Sequence, residues 1–145
     1  PDDFDHKVAQ GTAAREHFEK TAEVLKVPAA ALEGDAAMTL PSTYDYYATQ
    51  RAGVSNYKNE FAVKSREHFL NFDVQSAAKK ITIPVRMVHS ENALSPTFAR
   101  TFFKALPGKI DIYWIEGENQ TAFYDHPQLV QSAADLLAEH FHHFL

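Results

Sequence analysis

Ile81-Thr82-Ile83-Pro84-Val85-Arg86-Met87-Val88 decides the fold. It is a short run rich in β-branched residues, and such runs favour a strand. Ser95-Pro96 follows, pairing a residue favoured at a helix N-cap with the one favoured at the first helical position. A helix is expected next, with Phe98, Ala99, Phe102, Phe103 and Leu106 on one side, stopped by Pro107-Gly108. Ile110, Ile112, Trp114 and Ile115 predict a second strand. Asp125-His126-Pro127 opens a final helix, with Leu129, Val130, Ala133, Leu136, Leu137, Phe141 and Phe144 at helical spacing. Asp125 reads as its helix-start residue.

Strand, crossover helix and strand make a βαβ unit, whose strands should be parallel. Parallel strands are normally buried on both faces, and two of them do not stand alone. Residues 78–145 therefore read as the end of an α/β fold. The expectation is a piece of a longer protein whose earlier strands lie elsewhere.

The 145 residues suffice for one domain with a sizeable core, and 45% hydrophobic with 12% aromatic residues excludes a largely disordered chain. A net charge of −5 argues against a nucleic-acid partner, and no apolar run is long enough for a membrane span. Without cysteine there is no disulfide, thiolate metal site or cysteine nucleophile, which fits a cytoplasmic protein. With five glycines and no phosphate-loop or dinucleotide fingerprint, no cofactor is expected.

Residues 1–77 read as mostly helical and tyrosine-rich. One helix is expected over residues 6–26, with Val8, Ala13, Phe18, Ala22 and Leu25 at roughly helical spacing and a stop at Val27-Pro28. Gly11 weakens its middle. Ser42 or Thr43 is expected to cap a short helix through Tyr44, Tyr46 and Tyr47. A stronger helix is expected over residues 56–71, with Phe61, Ala62, Ser65, Phe69 and Leu70 on a face. The triplet Glu-His-Phe recurs at Glu16, Glu67 and Glu139, but its unequal separations exclude a repeat array.

The segment Ile83-Pro-Val-Arg-Met-Val-His-Ser90, the loop Glu91 to Pro96, the strand Ile110 to Glu116, the loop Gly117-Glu-Asn-Gln120 and then Phe123-Tyr124-Asp125 together resemble the C-terminal end of an α/β-hydrolase fold, nearest the dienelactone-hydrolase-like branch. The resemblance implies an α/β fold made of a βαβα C-terminal portion over residues 78–145, preceded by a helical, lid-like segment over residues 1–77. It implies a parent acting on ester or related acyl bonds. It also implies that the first loop carries the acid of a catalytic triad and the second its base.

The chain departs from that pattern at each position. None of Ser42, Ser55, Ser65, Ser76, Ser90, Ser95 and Ser132 lies in a Gly-x-Ser-x-Gly elbow. The acid position falls on Asn92 or Ala93, leaving Glu91 as the nearest carboxylate. The base position falls on Gln120, and an amide does not take a proton from serine near neutral pH. Glu91 and Gln120 are the candidate catalytic residues by position, at a degenerate acid/base site. His126 or His89 is the alternative as a displaced base.

Three further groups have mainly structural readings. His140, His142 and His143 read as cations at a helix C-terminus, with only His140 and His143 sharing a face, so no metal site is expected. Tyr44, Tyr46, Tyr47 and Tyr57 read as packing, with a pocket or lid lining as the alternative. Glu116 and Glu118 read as exposed loop charges. The expected reading is a portion of a hydrolase-like protein, inactive alone, whose partner is the missing N-terminal part or a second subunit. The alternatives are a non-catalytic hydrolase-like module for binding or homo-oligomer assembly, and an independent small domain.

Overall fold

A computed structural model describes residues 2–117 and 119–145. The chain divides into two compact units, Pro1–Phe72 and Asp73–Leu145.

The first unit is built on helix α1 (Asp2–Thr21). Its packed face differs from the expected one: Gly11 and Ala14 are buried, whereas Ala13 and Ala22 are exposed. The reason is a close approach. A Cβ on Gly11 would lie 2.4 Å from the backbone nitrogen of Glu67, so only glycine lets the two backbones meet there. The helix also ends earlier than expected. Ala22 turns into the left-handed region at φ 60, and Thr21 Oγ1 accepts from the Glu23 N–H at 3.1 Å.

Lys26–Val27 (β1) then pairs antiparallel with Phe61–Ala62 (β2). The helix expected over residues 56–71 is thereby reduced to a 3-10 turn at Val63–Ser65 and helix α3 (Arg66–Leu70). The cause is Asn59. Its side chain accepts from the Ala30 N–H at 2.8 Å and donates to the Ala30 carbonyl at 2.9 Å, holding that stretch extended.

Between β1 and β2, helix α2 (Pro41–Tyr47) starts at Pro41 with Leu40 at its N-cap, so neither Ser42 nor Thr43 caps it. Tyr46 meets Tyr47 edge-on at 4.9 Å, and Tyr47 lies 6.3 Å from Tyr57. Arg66 is 3% exposed and is bound by Asp35 at 2.6 and 3.0 Å and Gln10 at 2.7 Å, so the buried charge is paired and hydrogen-bonded.

The second unit opens with a 3-10 stretch, Gln75–Lys80. Strand β3 is Val85–His89, shorter than the run that predicts it, because Pro84 has no N–H to give a ladder. Helix α4 (Pro96–Ala105) and strand β4 (Lys109–Trp114) follow. The strands are parallel, with Arg86 opposite Asp111 and His89 opposite Trp114. The result is a mixed helix and strand fold with a small parallel sheet.

Ser95 precedes α4 as expected but is left-handed, at φ 55, and makes no side-chain cap. Leu106 and Ala99 are buried, whereas Phe98 is 62% exposed. Gly108 lies so close to Ile83 that a Cβ there would be 2.2 Å from the Ile83 carbonyl oxygen. A short helix, α5 (Ala122–Asp125), precedes α6 (Pro127–Phe144). His126 is the N-cap residue of α6, so Asp125 closes α5 rather than capping α6. Arg86 ties the unit together: it donates twice to Asp111, at 2.8 and 3.0 Å, to the Leu136 carbonyl at 2.9 Å and to Glu139 at 2.6 Å.

Candidate functional site

The C-terminal ends of β3 and β4 open into two loops, residues 90–95 and 115–121. In parallel sheets this is the edge where ligands bind. Ser90 is 1% exposed and organises the first loop. Its Oγ accepts from the Asn92 N–H at 3.2 Å and its carbonyl accepts from the Ala93 N–H at 3.2 Å. The second loop begins where the Ile115 N–H donates to the His89 carbonyl at 2.9 Å. Gly117 passes over Phe123, whose ring would be 2.8 Å from any Cβ there. Asn119 lies just before α5, its Oδ1 accepting from Thr121 Oγ1 at 2.7 Å and the Ala122 N–H at 3.2 Å.

Two side-chain amides join the loops. Asn92 Nδ2 donates to the Gly117 carbonyl at 2.7 Å, and Gln120 Oε1 accepts from the Leu94 N–H at 3.3 Å. Gln120 Nε2 donates to the Tyr124 hydroxyl at 2.8 Å. Both ends of the Gln120 amide are thus engaged.

Glu91 is directed elsewhere, into a bidentate pair with the Arg100 guanidinium. Arg100 holds the Glu91 carboxyl below its usual range, so Glu91 stays charged. Arg100 in turn lies 3.8 Å over the ring of Trp114. The two candidate residues line different cavities. Glu91 lines one of about 450 Å3 with Asn92, Trp114 and Glu116. Gln120 lines one of about 350 Å3 with His89, Ala93, Phe123 and Tyr124. Ser90 borders both. Glu118, read alongside Glu116 in the sequence, lies outside the described residues.

Of the two displaced histidines, His126 is exposed at the start of α6, whereas His89 lines the Gln120 cavity. His89 Nδ1 lies 2.9 Å from the Ser90 carbonyl, and its ring is 5.2 Å from Trp114. In the C-terminal histidine group, the His140 ring meets Phe144 at a tilt with centroids 4.9 Å apart, and His143 meets it edge-on at 4.5 Å. Among the described residues no group of three potential ligands could hold a metal ion. Nor is any helix long and apolar enough to cross a membrane.

Reading the sequence gave no site role to Arg100 or Ser90, and it named Trp114 only as a strand residue. Arg100 follows Glu91 by nine residues, one loop and one helical turn on. That spacing is the only local signal of the pair.

No family model matches the chain, and no curated protein matches it. Solved structures do. Hypothetical protein PA2218 from Pseudomonas aeruginosa is similar at a TM-score of 0.73 and 22% identity, over 97% of this chain and 44% of that one. DcsB, solved in complex with its substrate analogue, is similar at 0.78 and 17%, over 97% of this chain and 50% of that one. The alpha/beta hydrolase GrgF from Penicillium sp. sh18 is similar at 0.65 and 19%, over 94% of this chain and 49% of that one. The chain has an α/β-hydrolase-like fold and spans about half the length of these structures. At such identities the likeness concerns the fold alone.

Proposed function

We propose that the chain is the C-terminal, βαβα portion of an α/β-hydrolase-like protein of the dienelactone-hydrolase-like branch, with a lid-like helical segment before it. The whole protein acts on an ester or related acyl bond, and this chain alone does not turn ester over. The observation that carries the inactivity of this chain is Gln120, at the position the resemblance gives to the base, with both ends of its amide hydrogen-bonded. Its oxygen has no basicity near neutral pH, so it cannot deprotonate a serine. Glu91, at the acid position, gives its charge to Arg100 instead of to a base.

The portion reading is supported by the length of the similar structures, of which the chain covers 44–50%. It is supported too by β3, whose residues are all half-buried although parallel strands are ordinarily buried on both faces. The missing partner is then the N-terminal part of the same protein, which supplies the nucleophile and the neighbouring strands, while the base is a displaced histidine, His89 or His126, or comes from that part as well.

The test uses the purified chain with 4-nitrophenyl acetate, and the intact mass of the protein in its natural source. No rate above buffer, with a natural mass roughly twice 16.3 kDa, is the expected pair of results. Steady turnover that Gln120→Ala abolishes would overturn the catalytic half. A natural mass near 16.3 kDa would overturn the portion half.

The half-exposed β3 favours a second reading, a non-catalytic module that assembles with its own copies through an open strand edge. Sedimentation equilibrium separates the two readings. A concentration-dependent dimer lost on placing proline in β3 supports assembly, and a monomer at high concentration removes it.

A further inference from the structure

The first unit holds a cavity of about 560 Å3 on which two helices converge. Asp3 and Lys7 of α1 border it, and so do Arg66, Phe69 and Leu70 of α3. Residues three and four apart share one side of a helix, so each set faces the cavity together. Ala36, Met38 and Phe61 add to the lining.

At one end the cationic heads of Lys7 and Arg66 stand side by side. Lys7 Nζ donates to Asp35 Oδ1 at 3.3 Å, and Arg66 Nη2 donates to the same oxygen at 2.6 Å. Ala36, the next residue, is buried and borders the cavity, which puts this cluster at the cavity wall. Two positive charges thus share one carboxylate. The Arg66 side chain is 4% exposed and its guanidinium stays charged. The Lys7 ammonium has three donors and, among the described residues, one hydrogen bond, so donors remain for a ligand. Asp3, exposed one turn earlier on α1, is the carboxylate on this wall that works against an anion.

The other end is apolar. Met38 and Phe61 are half-buried, and Phe69 is 72% exposed at the cavity's rim. The volume lies in the range of small-molecule sites, which are mostly apolar with a few placed polar groups. A carboxylate supplies acceptors to the ammonium in exchange for the water it loses, and charge-assisted bonds are the strong ones.

We propose that this cavity is a binding site for a medium-chain monocarboxylate, its carboxylate held by Lys7 beside Arg66 and its tail lying on Met38, Phe61, Phe69 and Leu70. The site lies wholly within the first unit, away from the loops after β3 and β4 that carry the hydrolase reading. An esterase assay of either outcome leaves it untouched.

The probes are octanoate and octanamide, which share a tail and differ in charge, and acetate, which has the carboxylate without the tail. Each is titrated at pH 7 into the 15N-labelled full chain and followed by amide spectra. The native protein is expected to bind octanoate about fivefold more tightly than octanamide, because a charge-assisted bond is roughly twice as strong as a neutral one. Acetate should bind more weakly than either. Shifts should map to residues 3–7, 36–39, 61 and 66–70. Raising the salt to 1 M should weaken octanoate and spare octanamide. Lys7→Glu should abolish the preference for octanoate, and Asp3→Asn should increase it. Ala37→Phe, at an exposed position on the lining, fills the cavity and should weaken both octyl probes.

Equal binding of octanoate and octanamide, binding of neither, acetate as tight as octanoate, or shifts confined to other residues would overturn the site. So would a preference that Lys7→Glu leaves intact or Asp3→Asn lowers, and binding that Ala37→Phe does not change. Should a variant not fold, the native probe ratio, its salt dependence and the shift map still decide.

Discussion

The side-chain amide of Asn92 donates to the backbone carbonyl of Gly117 at 2.7 Å, joining the loop after β3 to the loop after β4. An amide serves a carbonyl in this bond, which a carboxylate in its place could not do because both groups only accept. Asn92→Asp should therefore destabilise the second unit by about 1 kcal/mol, the loss of one partly exposed hydrogen bond. It should not create ester turnover. Urea unfolding followed by tryptophan fluorescence, reporting Trp114, measures the first, and a 4-nitrophenyl acetate assay the second. An Asn92→Asp protein as stable as the native one would show that the bond joins the loops without stabilising them.

Arg86 serves two carboxylates of unequal standing. Asp111 is on the neighbouring strand, meets the guanidinium through two bonds and is 32% exposed, whereas Glu139 on α6 meets it through one bond and is 68% exposed. Bidentate pairing fixes geometry, and an exposed pair is weakened by solvent and salt. Asp111→Asn should lower the urea midpoint by at least twice as much as Glu139→Gln. Raising the salt to 1 M should remove most of the Glu139 effect and little of the Asp111 effect. Equal effects would mean that α6, rather than the strand pair, sets the position of Arg86.

The legible part of the fold was the part governed by local pattern. Ser95-Pro96 and Pro107-Gly108 marked the bounds of α4 and the approach to β4 to within a few residues, because proline suits a first helical turn and Pro-Gly ends a helix by its own backbone preferences, whereas Pro84 was read inside the strand that it in fact cuts short. Residues 56–60 were illegible for the opposite reason. Their extended form depends on Asn59 bonding Ala30, far along the chain, and helical spacing of Phe61 and Phe69 carries no trace of that. The candidate site divides in the same way. Motif spacing led to Glu91 and Gln120, but their partners, Arg100 for one and Leu94 with Tyr124 for the other, arise only when loops and helices meet. The burial of Arg66 was equally hidden, since a charged residue in a short helix reads as solvated until Asp35 and Gln10 are seen around it.

The pairing of buried Arg66 with exposed Asp35 gives the first unit a distinct acid response. The Asp35 carboxyl is held below its usual value first by hydrogen bonds from Arg66, with Lys7 adding to it. A depressed carboxyl stabilises the fold above its unfolded value of about 3.9, and that stability is lost as pH falls through the lower folded value. Asp35→Asn should therefore be much less stable than the native protein at pH 7. The gap in urea midpoint should narrow steadily as pH drops below about 4, where the native protein loses the same charge. Other paired carboxyls, Glu60 and Glu67 among them, also titrate below their usual range, so both proteins weaken in acid. Only the difference between them isolates Asp35. A gap that stays constant with pH would mean that Asp35 acts through shape rather than charge.

Gly11 tests which force sets the packing of α1. Helix propensity alone favours alanine over glycine in a helix interior by about 1 kcal/mol. The close approach of α3 opposes it, because the added Cβ would lie 2.4 Å from Glu67 N and 3.0 Å from Arg66 Cβ. Backbone atoms cannot swing aside as a side-chain end can, so the helices must separate. Overpacking of this kind costs about 1–3 kcal/mol, which offsets or exceeds the propensity gain. Separation would also strain the 2.6 Å bond between Arg15 and Glu67 and the contacts that Gln10 and Asp35 make to Arg66. Gly11→Ala should thus be net destabilising by urea unfolding, and faster amide exchange should appear at residues 63–70. Gly53→Ala serves as the control, because the atoms nearest its added Cβ, all from Gln50, lie no closer than 3.2 Å. A stabilised Gly11→Ala protein would mean that α3 yields to α1 at little cost, and that the propensity of the long helix decides the arrangement.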